Sequence, residues 1–266
     1  MQPARSLADP SRFPGWSGWM ESCAGAMTRL IYPPVCAGCS VMTFDHGALC
    51  AKCWSTVTFI EHPVCEVTGR PFDHDRGDGL VSPEAIADPP PYRRARAAVL
   101  HEGAARKLVH GLKYSDRADL AKLMAAWMVR AGRDVLDDSD AVIAVPLHRG
   151  RILMRRYNQS AELARHVAHL CRKPHLAGVL QRTRATRPQV GLGLRARQDN
   201  VRSAFEVRPR HMHGVAGRRI LLIDDVLTTG STVNAATKAL LKAGAAQVSV
   251  LTFARVATGG VETLYA

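Results

Sequence analysis

The chain has 266 residues, 47% of them hydrophobic and 22% charged, with a formal net charge of +13 at pH 7. That length accommodates one sizeable α/β domain plus a small appendage. No apolar run approaches the roughly 20 residues of a membrane-spanning helix, and no charged segment followed by an apolar stretch opens the chain, so the reading is cytoplasmic with no membrane span. Excess positive charge favours polyanionic partners, either a pyrophosphorylated substrate or nucleic acid. No RNA-recognition, helix-turn-helix or DNA-reading finger signature accompanies it, so nucleic acid is the secondary partner class.

Residues 1–15 are polar and contain Pro and Gly. Trp16, Trp19, Met20, Cys23, Met27, Leu30 and Ile31 then recur at helical spacing, which predicts an amphipathic helix in the 1–32 segment packed on the body of the protein. Its polar face lacks the Lys/Arg stripe of a membrane-surface helix. Pro33-Pro34 ends it, and Cys36-Ala-Gly-Cys39 and Cys50-Ala-Lys-Cys53 follow. Two CxxC knuckles bring four thiolates into tetrahedral reach, the donor set of a structural zinc site over 33–72. A redox CxxC usually comes singly before a helix, and a catalytic zinc keeps one position open. His46, between the knuckles, reads as solvent-facing. Seven cysteines used this way imply reduced thiols. Residues 73–91 are rich in Asp, Gly and Pro, and read as a linker to a domain over 92–266.

In that domain Ala95–His101 reads as a strand, and Gly103–Tyr114 and Asp119–Ala131 as helices. Lys113 and Arg117 either face anions or are solvated helix charges. Ala141–Val145 is the first central strand. It runs into Pro146-Leu147-His148-Arg149 and then Arg155-Arg156-Tyr157-Asn158-Gln159. Ser160–Cys171 is a helix. Leu180–Leu192 is cation-rich, with neither helical nor strand period. Gly191-Leu-Gly193-Leu-Arg-Ala196 fits the dinucleotide fingerprint, but only Arg-Pro-Gln-Val precedes it and not a strand, so the match is rejected. No GxxxxGK[ST] occurs.

The chemistry concentrates in Arg219–Gly244. Ile220-Leu-Leu-Ile223 reads as a buried parallel strand, followed by Asp224 and Asp225. A turn of small residues comes next: Thr228, Thr229, Gly230, Ser231 and Thr232. Val233, Ala236, Leu240 and Leu241 then mark a helix that Gly244 ends. A helix N-terminus with hydroxyl donors suits a phosphate. Two carboxylates beside it suit vicinal sugar hydroxyls. Together they describe a ribose 5-phosphate site. Val248–Ala254 is a last buried strand.

The run DDVLTTGST resembles the phosphoribosyl pyrophosphate (PRPP) loop of type I phosphoribosyltransferases. Three further stretches resemble the ComF/GntX family: the zinc ribbon, VPLHRGRILMRRYNQ, and Leu180 to Asn200. The resemblance covers roughly 30–256. It implies a type I phosphoribosyltransferase fold, a twisted parallel sheet flanked by helices, with an N-terminal zinc ribbon. It implies transfer of a phosphoribosyl group from PRPP to a nitrogen acceptor. Asp224 and Asp225 would hold the ribose hydroxyls near Mg²⁺, and Thr228, Thr229, Gly230, Ser231 and Thr232 the 5-phosphate. Pro146, Leu147, His148, Arg149, Arg155 and Arg156 would hold pyrophosphate, with His148 in a minor positioning role. The 182–197 segment, with Arg184 and Arg187, would close as a lid. Thr228 stands where 6-oxopurine enzymes carry a third acid, which disfavours hypoxanthine or guanine. The family also implies a role in natural competence, with single-stranded DNA or DNA-uptake proteins as partners; the alternative is a non-catalytic PRPP- or nucleic-acid-binding accessory. The family often carries a second cysteine quartet. Here Cys65 remains, while Thr68, Ser82 and Ala85 occupy the other places, so one zinc is expected.

Overall fold

The computed structural model describes residues 33–45, 47–72, 74, 77, 79–114, 117–147, 157–183 and 204–257. The helix expected over 16–31, His46, His148, Arg149, Arg155, Arg156, Arg184 and Arg187 lie outside them. The chain divides into two compact units, 1–50 and 51–266. In the first, a turn at Cys36 closes through Cys36 N–H to Val41 O (2.7 Å) and Ser40 N–H to Cys36 O (2.9 Å).

The second unit begins with the short helices α1 (Ala51–Trp54) and α2 (Pro83–Ala87). Then come β1 (Ala95–Leu100), α3 (Gly103–Tyr114), α4 (Leu120–Ala131) and α5 (Arg133–Asp137). β2 (Ala141–Ala144), α6 (Gln159–Leu170), β3 (Leu180–Arg182) and β4 (Phe205–Val207) follow. A 3₁₀ turn over Pro209–Gly214 leads to β5 (Arg219–Leu227), α7 (Ser231–Lys242) and β6 (Gln247–Arg255).

Four strands form one sheet in the order β1-β6-β5-β2, and every pair is parallel. A parallel sheet needs cover on both faces, which explains the uninterrupted apolar runs in β5 and β6. On one face Ile220 and Leu222 pack with Val233, Ala236 and Leu240 of α7 and with Phe205 and Val207 of the β3–β4 hairpin. Leu221 and Ile223 alternate to the other face and are equally buried. There α6 lies on β5 and β2, and α4 lies on β1 and β6. Trp127 of α4 stacks on Phe253 of β6 at 5.9 Å between ring centroids.

Both lateral edges of this sheet are occupied. Along β1, Ile60 N–H donates to Ala98 O (3.0 Å) and Leu100 N–H to Thr58 O (2.9 Å), with Phe59 bridged antiparallel to Val99. Along β2, Val142 N–H donates to Pro174 O and Leu176 N–H to Val142 O, both at 2.9 Å.

Three features depart from the sequence reading. β5 does not stop before the acidic pair: pairing with β6 continues through Asp224↔Thr252 to Leu227↔Arg255, so both carboxylates ride on the strand. The stretch read as a linker holds α2, with Ser82 as its N-cap and Pro at the first turn. Leu180–Arg182, read as aperiodic, pairs antiparallel with Phe205–Val207.

Candidate active site and metal centre

Cys36, Cys39, Cys50 and Cys53 place their sulfurs within 4.8 Å of one another. Cys39 and Cys50 sulfurs are 3.7 Å apart, close to the edge of about 3.8 Å that a tetrahedron of Zn–S bonds near 2.3 Å requires. Cys36 is fully buried, and its sulfur accepts N–H groups from Gly38 (3.3 Å) and Cys50 (3.2 Å). Burial pushes the Cys36 thiol up, but the backbone N–H groups of Cys50, Gly38 and Cys39 outweigh it and bring it down to about 6. The donor set fits a structural zinc: four sulfurs, no vacancy for substrate, and one thiol already biased to thiolate.

The second site lies at the carboxyl end of β5. Asp224 Oδ1 accepts from Ser160 Oγ (2.8 Å) and from the Asp225 backbone N–H (2.9 Å). Asp225 Oδ1 is paired with Lys113 Nζ at 2.9 Å. Burial, then the neighbouring Asp225 charge, push the Asp224 carboxyl up to about 7, against the hydrogen bonds from Ser160 and Asp225 and the Lys113 charge. His101, just past β1, has a buried Nδ1 with no hydrogen-bond partner among the described residues. Its own burial, then Lys113, hold its ring down to about 4, with Asp225 opposing, so it is neutral at pH 7.

The turn after β5 has the form a phosphate cradle needs. Gly230 sits at φ +78° as the cap of α7 and brings no capping side chain of its own. Left-handed backbone there favours glycine. The start of a helix leaves its first N–H groups without intrahelical partners, a ready site for an anion. Thr229 Oγ1 and Ser231 Oγ are 2.9 Å apart. Thr228 and Thr229 are exposed, while Ser231 is buried.

The loop after β2 is tied at its base. Asn158 caps α6, accepting from Ser160 N–H (3.2 Å), and donates through Nδ2 to Val145 O (3.1 Å). One amide thus joins the strand before the loop to the helix after it. Tyr157 Oη donates to Leu112 O (2.6 Å), fixing the α3 end that carries Lys113. Gln159 is buried, and neither of its amide atoms has a partner among the described residues.

The structure therefore brings Asp224, Asp225 and the Thr228–Thr232 turn together, and places Pro146 and Leu147 at the end of the adjacent strand β2. Sequence reasoning missed Ser160 and His101 and left Lys113 open. Ser160 is legible only as the second residue after an N-capping Asn. Its bond to Asp224 depends on how α6 crosses β5.

A family model for a double zinc ribbon domain matches residues 27–84, and one for a phosphoribosyl transferase domain matches 121–265. Ribbon and parallel-sheet domain together define the class. Within it, the chain belongs to the ComF-like competence and DNA utilization family. It is 31% identical over 227 residues to DNA utilization protein YhgH of Escherichia coli (strain K12), covering 83% of this chain and 96% of that one. It is 31% identical over 153 residues to Competence protein F of Haemophilus influenzae, covering 56% and 66%. Among solved structures, orotate phosphoribosyltransferase from Aeropyrum pernix is similar at 18% identity and TM-score 0.30, over 60% of this chain and 80% of that one.

Proposed function

We propose that the chain binds Mg–PRPP across the carboxyl ends of β2 and β5 and transfers the phosphoribosyl group to a nitrogen nucleophile. The observation that carries this reading is the adjacency of Asp224 and Asp225 to the glycine-started N-terminus of α7 at Gly230. Carboxylates accept from a ribose diol, and N–H groups with hydroxyls accommodate its 5-phosphate.

Asp225, with one oxygen held by Lys113, keeps the other for a sugar hydroxyl. Asp224, held by Ser160, orients the second hydroxyl. Oxygen donors of this kind also suit Mg²⁺, which would neutralise the pyrophosphate as it leaves. The chain's own contribution is positioning and electrostatic support for charge that develops on the ring and on the departing pyrophosphate. Arg155 and Arg156 would meet the leaving group, and Arg184 and Arg187 would close over it, excluding water from a cationic ring carbon. A four-thiol zinc cluster suits a reducing compartment, which supports the cytoplasmic reading.

The test is release of pyrophosphate from Mg–PRPP across a panel of nitrogen acceptors. Acceptor-dependent release that disappears in Asp224→Asn/Asp225→Asn is expected. Absence of both PRPP binding and release in the intact protein would overturn the reading. The DNA utilization role in the relatives' names and the net charge of +13 favour one further readout, binding of single-stranded DNA against salt concentration, which falls steeply if phosphates are the contacts.

A further inference from the structure

The double ribbon that the chain matches over 27–84 implies two metals, and the second donor set does not fit one. The two halves share a backbone. Val35 bridges Met42, and Val64 bridges Pro71. Cys36 N–H donates to Val41 O, and Cys65 N–H to Arg70 O. Ser40 N–H returns to Cys36 O with Ser40 at φ +61°, and Gly69 N–H returns to Cys65 O with Gly69 at φ +64°. Thr43 N–H reaches Pro34 O, and Phe72 N–H reaches Pro63 O. Ala37 N–H reaches Ala48 O (2.9 Å), and Glu66 N–H reaches Leu80 O (2.8 Å). Finally, Cys50 N–H points at Cys36 Sγ and Ser82 N–H at Cys65 Sγ, both at 3.2 Å. A short helix follows each of these last residues.

This correspondence puts Cys65 in the place of Cys36, Thr68 in that of Cys39, Ser82 in that of Cys50 and Ala85 in that of Cys53. One thiol, two hydroxyls and a methyl cannot hold zinc. Hydrogen bonds stand where the metal would. Cys65 is fully buried, and its sulfur accepts N–H groups from Thr68 (3.4 Å) and Ser82 (3.2 Å). Ser82 Oγ caps α2 by accepting from Ala85 N–H (3.4 Å). The Thr68 hydroxyl oxygen is buried beside the Cys65 sulfur. Burial pushes the Cys65 thiol up, but hydrogen bonds from Thr68 and Ser82 outweigh it and hold the thiol below its ordinary range, at about 7.

The same half is bonded to the sheet. Ala95 N–H donates to Val67 O (2.7 Å), Arg255 Nη1 to Thr68 O (2.6 Å) and Arg96 Nη1 to Glu66 O (3.0 Å). Arg96 also pairs with the Glu66 carboxylate at 3.1 Å. Any side chain at Gly69 would meet Ala95 O at 2.2 Å, so the knuckle lies with its backbone against β1.

We propose that residues 63–87 are a metal-free copy of the zinc knuckle, closed by hydrogen bonds to the Cys65 sulfur and anchored to β1 and β6. Zinc then governs the Cys36–Cys53 cluster alone, and the phosphosugar domain keeps its bracing half whether or not metal is present. The test uses the full chain. Metal analysis should give about one zinc. Hydrogen exchange with and without a zinc chelator should show the amides of Cys36, Ala37, Ser40 and Cys50 losing protection on chelation. Those of Cys65, Glu66, Gly69 and Ser82 should keep theirs. Thr68→Cys/Ser82→Cys/Ala85→Cys should raise the content to about two zincs. Two zincs in the unaltered chain, loss of protection at 65–82 on chelation, or a folded triple variant that stays at one zinc would each overturn the proposal. If the triple variant does not fold, the exchange result decides.

Discussion

Replacing Lys113 by methionine removes the cation that meets Asp225 while keeping the aliphatic stem. The ion pair spans 2.9 Å with side-chain exposures of 21% and 13%. At an effective dielectric near 20 its gross attraction is about 6 kcal/mol, most of it offset by desolvation of the two partly buried groups. A net coupling of about 1–3 kcal/mol remains, above the roughly 0–1 kcal/mol of a surface pair. The assay is a double-mutant cycle of Lys113→Met and Asp225→Asn by urea unfolding. The transition of the sheet domain would be followed through Trp127, which stacks on Phe253. Each single variant should lose stability, and the double variant should lose less than the two together. Lys113→Arg should recover most of the loss. A coupling below about 0.3 kcal/mol would refute the reasoning, because Lys113 would then be one more solvated helix charge.

Asp224→Asn should stabilise the fold at pH 8 while weakening Mg–PRPP binding. The Asp224 carboxyl is pushed up to about 7, so between about pH 4 and 7 the folded state holds more protons than the unfolded one and stability falls as pH rises. The variant removes that cost, and the gain should vanish below about pH 4, as thermal melts at the two pH values would show. The unaltered protein should bind Mg–PRPP more weakly as pH falls through 7, and a flat titration-calorimetry profile would remove Asp224 from the clamp. Gly230→Ala forces a side chain into φ +78° and should cost about 1 kcal/mol of stability and lower affinity for inorganic phosphate; an unchanged melt would contradict the strain argument. Arg184→Ala/Arg187→Ala should lower turnover more than PRPP affinity, because lid contacts strengthen as charge develops; equal losses in both kinetic terms would make these residues simple binders.

The strands that carry the site were readable because burial on both faces demands unbroken aliphatic runs, as in Ile220–Ile223. The acidic pair and the glycine of the turn were readable for the same local reason: each has a chemistry that its neighbours do not share. β3 and β4 were not. They are three residues each, too short to show a period, and they exist through pairing across 22 intervening residues, Lys-free but arginine-rich, from Thr183 to Ala204. α2 carried a legible signal, Ser82-Pro83-Glu84, which the Asp- and Gly-rich composition around it obscured. Ser160 and Lys113 lie on helices far in sequence from the acidic pair, so only the packing of α6 and the end of α3 near β5 makes them neighbours of the carboxylates.

The segments lying along β1 and β2 have a consequence for behaviour at high concentration. An open strand edge is a template that any other chain can extend, and soluble proteins with such edges are prone to swap strands or stack into fibrils. Here Thr58 and Ile60 on one side, and Pro174 and Leu176 on the other, already take up the lateral N–H and C=O groups. The chain has in effect terminated its own polymer at both ends. Along these two edges, a second copy meeting the first in solution finds side chains, whose contacts mutation can tune, in place of open backbone.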